Sequence, residues 1–347
     1  EGGFVEVSGT LTFSGHSTKV RAVAASEDGF TFASAGDTSV RIQALTGAGG
    51  DRAATIMLPA TAPARALAWT RSGGATLLLI GSEDRGGVKV WDAGAKRMTW
   101  EEETDTEYPS VLSLSPSPDG GSFVAACSND ARSSSIIQIW SLRTAKVSQT
   151  IRPSGTSAIL SAHHNHNGSL LAGSTRDGRV QVWDVRASSD DPIMEWKAHS
   201  GPATAVIFSP DETVLFSAGA DGIVAEWSAH VPGRSIASRS VRPLGDDTEG
   251  AAMGMALAAE GRYCLVAPGD LPHAVLARSS FHAAESDGPA SGRDGPASGP
   301  VSGPALQALG GGGEEAVCVV DFVEEQRTVL IGRADGVLQA LSLRPFS

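Results

Sequence analysis

The sequence predicts an all-β fold, a seven-bladed β-propeller whose last blade is closed by an N-terminal strand. Four tryptophans end similar strand-like runs, and Trp91, Trp140, Trp183 and Trp227 are 49, 43 and 44 residues apart. Asp follows the first and third of them, and Ser follows the other two. A period in the low to mid forties, with a Trp on the third strand of each unit, is typical of Trp-Asp repeat propellers. Seven such blades take roughly 300 residues, so we predict one domain over residues 1–347.

Blades one to five each contain three recognisable strands separated by turn residues. Their approximate limits are 15–45, 65–99, 110–151, 158–197 and 204–239. The third strands are VRIQAL, VKVWD, IIQIWS, VQVWD and IVAEWS, and Gln43 replaces the Trp in blade one. Apolar and polar residues alternate within the strands, which predicts a pleated sheet with one face packed against a neighbouring blade.

Blades six and seven depart from this pattern. Blade six has three strand-like runs without a Trp, and a segment rich in Gly, Pro, Ala and Ser (281–304) separates them from ALQAL at 305–309. That segment has no apolar periodicity to offset the entropy of ordering, so we predict a disordered insertion between the third and fourth strands. Blade seven has only three runs before the C-terminus, so we predict that residues 4–13 supply its fourth strand and cover its edge.

The net charge, the hydropathy pattern and the cysteines indicate which partners and which compartment to expect. The chain carries 27 basic and 39 acidic residues, a net charge of −12, which argues against nucleic acid or an anionic membrane as a direct partner. No run approaches the roughly 18 apolar residues of a membrane span, so we expect no direct membrane insertion. Cys127, Cys264 and Cys318 lack metal-ligand or redox spacing and are expected to be buried free thiols in a reducing compartment. Without an initiating Met or a signal peptide, the chain is expected to be a domain of a longer protein. We also expect this domain to be monomeric.

Blade five places His199, Ser217, Asp221 and Trp227 at the spacing of a Trp-Asp repeat. The same residue types could form a nucleophilic triad. We favour a structural hydrogen-bond chain, in which the Trp occupies the hydroxyl and the buried polar groups satisfy one another. Partial copies are expected at Asp177 and Trp183 in blade four and at Asp37 in blade one. We therefore predict no catalytic site, no cofactor and no enzyme activity.

The run of His163, His164, Asn165 and His166 raises the question of a metal site. Successive strand side chains point to opposite faces, so His163 and His164 cannot readily share an ion. His164 aligns with Phe208 of blade five, a packing position, and His166 lies in a turn. Since no fourth ligand is apparent, we predict no metal site.

A set of basic side chains defines a candidate partner-binding surface, which we call the arginine rim. In a propeller, the turns between second and third strands share one rim with the segments that lead into each blade. The predicted rim residues are Lys19, Arg21, Arg65, Arg85, Tyr108, Arg132, Arg176 and Arg333. Tyr108 is a candidate contact anchor. The alternative is that each arginine pairs with a nearby acid, which contributes only about 0–1 kcal/mol at a surface.

The ordered run of blades resembles the C-terminal propeller of the WD repeat-containing protein ninety-one family. The segments that carry the resemblance are HNHNGSLLAGSTRDGRVQVWDV, MEWKAHSGPATAVIFSPDETVLFSAGADGIVAEW, SVLSLSPSPDGGSFVAAC, LLLIGS, AVCVVDF and DGVLQALSL. The resemblance implies a cytoplasmic adaptor, peripheral on early and late endosomes, that acts in early-to-late endosome conversion. The implied partners are an active late-endosomal Rab GTPase, a second WD-repeat protein and subunits of the class III phosphatidylinositol 3-kinase complex, which the adaptor restrains.

The chain departs from that family's pattern at three places. They are the 281–304 insertion, GGGGEE at 310–315 instead of a His before blade seven, and His164 where Phe is usual. Two other classes of function stay open. A scaffold of a ciliary, centrosomal or ubiquitin-ligase assembly would have an identical fold. An enzyme or small-molecule binder would need a channel lined with titratable residues, and no convergent acid–base cluster supports one.

Overall fold

The structure, a computed structural model, describes most of the chain. The described ranges are 5–45, 54–129, 131–153, 157–187, 189–241, 253–258, 262–268, 271–279, 306–309 and 315–345. Within them the chain forms 28 β-strands and no helix. No helix in these ranges is long and apolar enough to cross a membrane.

The first strand, β1 (Val5–Phe13), does not belong to the four blades that follow it along the chain. Blades one and two consist of β2 (Ala22–Ala25), β3 (Thr31–Ala35), β4 (Ser39–Ala44), β5 (Ala54–Met57), β6 (Ala64–Ser72), β7 (Ala75–Ser82), β8 (Val88–Asp92) and β9 (Arg97–Glu102). Blades three and four consist of β10 (Ser110–Pro116), β11 (Ser122–Asn129), β12 (Ser134–Ser141), β13 (Lys146–Ile151), β14 (Ile159–His164), β15 (Leu170–Thr175), β16 (Arg179–Asp184) and β17 (Met194–Lys197). Each blade is therefore four consecutive antiparallel strands.

The last three blades include the two that the sequence marks as irregular. Blades five and six consist of β18 (Ala203–Phe208), β19 (Val214–Gly219), β20 (Ile223–Ser228), β21 (Ser235–Ser240), β22 (Met253–Ala258), β23 (Tyr263–Pro268), β24 (Ala274–Arg278) and β25 (Leu306–Leu309). Blade seven contains β26 (Val317–Val323), β27 (Thr328–Arg333) and β28 (Leu338–Pro345). β25 pairs with β24, so the strand predicted near 305–309 is present, while residues 281–304 lie outside the described residues.

The N-terminal strand closes the last blade. β1 pairs antiparallel with β28 from Val5↔Pro345 to Phe13↔Leu338, and the sheet order is β1-β28-β27-β26. The seven sheets are four-stranded and their inner strands contact one another in ring order, with β26 against β2. The prediction of a seven-bladed all-β propeller with a borrowed closing strand is therefore confirmed. Closure removes an open sheet edge that would otherwise pair with other chains.

The hydrophobic core is divided among the blade boundaries. Buried apolar side chains form seven clusters, each between two neighbouring blades. Every residue of β3, β19 and β27 is buried. The expectation of one packed face per strand is wrong for these second strands, because each blade lies between two others and both faces are covered. Such strands lose the clean alternation of a one-sided sheet.

Side chains of one inner strand satisfy the backbone of the next. In blade three, Ser113 Oγ accepts from the backbone N–H of Ala162, and Ser115 Oγ accepts from that of His164 at 2.9 Å. Where blade seven meets blade one, Asp321 accepts from the backbone N–H of Ala25 at 2.7 Å. These bonds cover backbone donors that the ladder leaves unpaired at the inner edge.

The three cysteines are free thiols, as expected. Cys127 and Cys264 are buried, and burial raises the pKa of both thiols above its usual range. Cys318 is only half-buried, so the expectation of burial is wrong for it. It is the second residue of β26, the inner strand of blade seven, between the buried Val317 and the half-buried Val319.

Candidate functional site

Backbone hydrogen bonds hold two kinds of loop together on one rim of the ring. The donors lie at the turn between the second and third strands, and the acceptors lie just before the first strand of the same blade. They are Glu83 to Pro63, Arg176 to Ala158, Ala220 to Pro202 and Ala334 to Ala316. The structure thus brings together the loops that carry the arginine rim.

The predicted rim residues differ in exposure. Lys19, Arg65, Arg85 and Arg132 are exposed, whereas Arg21, Tyr108 and Arg176 are half-buried. The Tyr108 ring packs against the hydrophobic cluster between blades two and three, which leaves only part of it to serve as a contact anchor. The exposed part of the arginine rim is therefore carried by blades one, two and three.

Two of the rim arginines share one acid. Glu83 lies 3.1 Å from Arg65 and 3.6 Å from Arg21, measured between carboxylate oxygens and guanidinium nitrogens. Arg21 also bonds Asp37, and that hydrogen bond holds the pKa of Asp37 below its usual range. This network joins blades one and two and neutralises part of the rim charge. For Arg21 and Arg65, the structure therefore shows the alternative that was considered from the sequence, in which each arginine pairs with a nearby acid.

Arg132 has a weaker partner than the network above. Its guanidinium is 3.6 Å from Glu107, and both side chains are 63% exposed. Exposed pairs of this kind contribute little because solvent screens them and both side chains lose rotamer freedom. Lys19 and Arg85 form no ion pair with any described carboxylate. Lys19, Arg85 and Arg132 are thus the rim cations most available to a partner.

Arg333 does not belong to the exposed rim, and its inclusion is wrong. It is 1% exposed and donates to the backbone oxygens of Glu315 at 2.7 Å and Pro272 at 3.5 Å. It is the last residue of β27, a strand buried along its whole length, and not part of the turn. Arg333 therefore links the described parts of blades six and seven instead of facing a partner.

The four blade-five residues form a continuous hydrogen-bond chain. Trp227 Nε1 donates to Ser217 Oγ at 2.8 Å, Ser217 Oγ lies 2.8 Å from His199 Nε2, and His199 Nδ1 lies 3.1 Å from Asp221. An indole N–H only donates and a carboxylate only accepts, so the direction runs from Trp227 to Asp221. The Ser217 hydroxyl is occupied on both sides and buried, which leaves no nucleophile for a substrate.

Burial of Asp221 opposes its ionisation. The hydrogen bond and charge of His199, together with the backbone N–H groups of Ser200 and Ile223, outweigh that effect and place the pKa of Asp221 below its usual range. The carboxylate is therefore charged at neutral pH and anchors the end of the chain. This is the behaviour of a structural carboxylate.

Blades two, three and four do not reproduce the chain, because the hydroxyl that corresponds to Ser217 is missing. The residues that correspond to Ser217 are Ile80, Ala125 and Gly173 in blades two, three and four. The indole N–H groups of Trp91 and Trp140 have no hydrogen-bond partner among the described residues. Trp183 donates instead to the backbone oxygen of Asp190 at 3.2 Å.

Neither predicted acid of the partial copies reaches a histidine. Asp177 accepts from Thr175 at 2.6 Å and from Arg179 at 3.1 Å. Asp37 pairs with Arg21. The Trp-Asp spacing therefore located the complete chain in blade five, and neither Asp37 nor Asp177 takes the role of Asp221 in its own blade.

The histidine run in blade four is held apart by the strand. His164 is buried with Nδ1 3.1 Å from Ser115 Oγ, while His163 and His166 are exposed. Burial, and next the neighbouring His163, lower the pKa of His164 to about 4. Among the residues that the structure describes, no group of three or more His, Cys, Asp and Glu side chains could hold a metal ion.

Comparison with known proteins agrees with the propeller. The family WD40 (WD domain, G-beta repeat) matches residues 8–42, 146–184 and 190–228. Those segments span most of the closing strand with the first three strands of blade one, the outer strand of blade three with three strands of blade four, and the outer strand of blade four with three strands of blade five. The chain therefore carries WD40 repeats, a fold typical of protein-interaction scaffolds and not of enzymes.

Curated relatives share one name. The chain is 33% identical over 160 residues to "WD repeat-containing protein 91 homolog" of Dictyostelium discoideum, which covers 46% of the chain and 20% of the relative. It is 36% identical over 169 residues to "WD repeat-containing protein 91" of Danio rerio, covering 44% of the chain and 23% of the relative. The match to the protein of that name in Gallus gallus is 32% over 180 residues, 46% of the chain and 23% of the relative. The matches thus span less than a quarter of the length of these relatives.

Proposed function

We propose that this WD40-repeat propeller is a non-enzymatic adaptor that binds protein partners through its arginine rim and acts in early-to-late endosome conversion. In this proposal the chain is cytoplasmic and peripheral on early and late endosomes. Its direct partner is the GTP-bound form of a late-endosomal Rab GTPase. With a second WD-repeat protein it restrains the class III phosphatidylinositol 3-kinase complex. Support for the cellular setting comes from the family resemblance and from the shared name of the relatives.

Support for the binding surface comes from one observation. On a chain of net charge −12, the exposed cations Lys19, Arg85 and Arg132 lie on one rim without a strong intramolecular partner. A positive patch on an acidic protein orients an acidic partner and raises its association rate.

Reversal of two rim charges tests the surface. The variant Arg85→Glu/Arg132→Glu should bind the GTP-locked late-endosomal Rab on the order of tenfold more weakly, because two attractive contacts become repulsive. The unfolding midpoint should be unchanged, since both side chains are exposed. Capture by immobilised Rab, locked in the GTP or the GDP state, measures the effect.

The matched control carries the same charge change on the opposite rim. Arg143 and Arg186 are exposed in turns between third and fourth strands, so Arg143→Glu/Arg186→Glu should bind like the original chain. Equal or absent capture by the two nucleotide states would remove the Rab proposal. Copurification with tubulin, ciliary or ubiquitin-ligase subunits and no endosomal GTPase would support the alternative scaffold.

A further inference from the structure

Blade one repeats half of the blade-five hydrogen-bond chain and lacks its carboxylate. His16 Nε2 lies 2.8 Å from Ser34 Oγ, as His199 Nε2 does from Ser217 Oγ. The paired positions are Ser34↔Arg41 in blade one and Ser217↔Ala225 in blade five, so the blade-one hairpin is one residue shorter. In blade five Asp221 bonds His199 and accepts from the backbone N–H groups of Ser200 and Ile223 at 3.0 and 3.2 Å. In blade one the shorter turn directs Asp37 to Arg21.

An open cavity lies beside His16. Its volume is about 220 Å³. Among its lining residues are His16, Ser17, Thr18, Asp37, Ser39 and Arg41. Ser17 and Ser39 correspond to Ser200 and Ile223, whose N–H groups hold the blade-five carboxylate. The cavity therefore occupies the region where blade five supplies its own anion.

The Arg41 guanidinium lines this cavity and has no partner among the described residues. Arg41 Nε is buried and has no hydrogen-bond partner, and no ion pair or hydrogen bond joins the Arg41 side chain to any residue that the structure describes. The guanidinium lies against Gly15, where a Cβ would be only 2.5 Å from Nη1. Gly15 has φ 144°, a conformation that other residues rarely adopt. A buried donor without an acceptor is costly, so this arrangement favours an external acceptor.

Corresponding positions in other blades have internal partners. Two residues before the conserved Trp position, Lys89 donates to the Gly86 oxygen at 2.6 Å and lies 3.6 Å from Glu101. Gln181 donates to Glu195 at 2.8 Å, and Gln138 lies 3.5 Å from the Cys127 sulfur. Arg41 occupies the same position in blade one. Unlike Lys89, Gln138 and Gln181, it has no partner among the described residues.

We propose that the blade-one cavity binds an oxyanion, either a carboxylate or a phosphoryl group, through the Arg41 guanidinium and the polar groups of Ser17 and Ser39. Planar guanidinium groups bind such anions through two parallel charge-assisted hydrogen bonds. Asp37 also lines the cavity, but Arg21 compensates its charge. The site is separate from the Rab proposal and does not depend on it.

The pKa of His16 provides a way to detect an anion bound at this site. Burial lowers the pKa of His16, and the positive charge of Arg41 lowers it further. An oxyanion beside Arg41 would offset that charge and raise the pKa of His16. The imidazole signals of His16 therefore report occupancy without any partner protein.

The test titrates the chain with sodium phosphate and, separately, with sodium acetate, while sodium chloride keeps the ionic strength constant. NMR follows the Arg41 Nε–H and the His16 imidazole. We expect a saturable shift of Arg41 Nε–H and a higher pKa of His16. The variant Arg41→Gln should bind at least about tenfold more weakly, since it loses charge-assisted hydrogen bonds. Gln138 and Gln181 show that the fold accepts Gln at this position.

The control Lys89→Gln makes the same charge change at the corresponding position of blade two and should bind like the original chain. Tighter binding of phosphate assigns a phosphoryl ligand, and binding of acetate at equal or higher affinity assigns a carboxylate. If neither anion gives a saturable shift, or if Arg41→Gln binds as well as the original chain, the proposed site is overturned. Rab capture plays no part in this outcome.

Discussion

At the scale of single residues, the blades are distinguished by which buried polar groups find partners. Ser217 forms hydrogen bonds with both Trp227 and His199. The indole N–H groups of Trp91 and Trp140 have no partner among the described residues, and Ile80 and Ala125 occupy the positions that correspond to Ser217. The conserved Trp therefore serves mainly as an apolar packing residue in blades two and three. For example, Trp140 stacks with Phe123 and Trp100, at ring-centroid distances of 6.3 and 6.1 Å.

Ser217→Ala should lower the free energy of unfolding by about 1–3 kcal/mol, because it leaves the buried Trp227 N–H and one nitrogen of His199 unsatisfied. Urea unfolding followed by tryptophan fluorescence measures the change. Ser174→Ala is the matched control. Ser174 is also fully buried on a second strand, but its hydroxyl has no hydrogen-bond partner among the described residues, so its removal should change stability by less than about 0.5 kcal/mol. Equal losses in both variants would contradict a structural role for the chain.

Two members of the predicted arginine rim show that similar local sequence can place an arginine in different environments. Arg85 and Arg333 both lie close to the end of a second strand-like run, and a glycine follows each within three residues. Arg85 adopts φ 69° in the turn and is exposed, while Arg333 ends its strand and is buried. The difference depends on the length of the preceding strand and on acceptors from blade six, which no local pattern contains.

At the scale of elements, the closing strand is held mainly at its two ends. Val5 belongs to the cluster between blades six and seven, and Phe13 packs against the cluster between blades seven and one. The residues between them are largely exposed. The backbone ladder with β28 therefore fixes the register of β1, and two apolar anchors fix its position.

Phe13→Ala should lower the free energy of unfolding by roughly 2 kcal/mol, because a half-buried aromatic ring loses its cluster and its edge-to-face contact with Phe32 at 5.0 Å. Hydrogen exchange should show faster exchange of the β28 amides that pair with β1. Leu11→Ala on the same strand is the control: Leu11 is 50% exposed, so little change is expected. If both variants exchange alike, the anchor at Phe13 is not what holds the strand.

At the scale of the whole molecule, the ring closes at its inner edge as well as at its outer edge. Asp321 of β26 accepts from the backbone N–H groups of Ala25 and Phe322. Burial raises the pKa of Asp321 to about 6, although those two hydrogen bonds oppose the rise. The last blade and the first are thus joined through a carboxyl group that titrates in an accessible pH range.

The contribution of Asp321 to the stability of the ring should fall as pH rises from about 4 to about 6. In that interval folded Asp321 keeps its proton while the unfolded chain releases it, so the folded state binds more protons. Asp321→Asn removes this titration and keeps an acceptor for Ala25. Its free energy of unfolding should gain on the order of 1 kcal/mol relative to the original chain between pH 4.5 and pH 7. Urea unfolding at the two pH values measures it.

Asp335→Asn controls for the loss of one negative charge, since Asp335 is exposed in the turn before β28. Its stability should follow the original chain at both pH values. A variant Asp321→Asn that does the same would show that this inner contact does not contribute to the pH dependence.

The sequence by itself determined the number of blades, their order and the borrowed closing strand. These follow from a repeat of about forty residues and from a last blade with one strand too few, which are local patterns. It also located the blade-five chain, because its four members lie within one repeat. Tertiary structure alone decided which rim cations are exposed, why Asp37 meets Arg21 instead of His16, and that Arg41 finds no anionic partner among the described residues. Those outcomes depend on contacts between blades and on a turn one residue shorter, and the repeat pattern specifies neither.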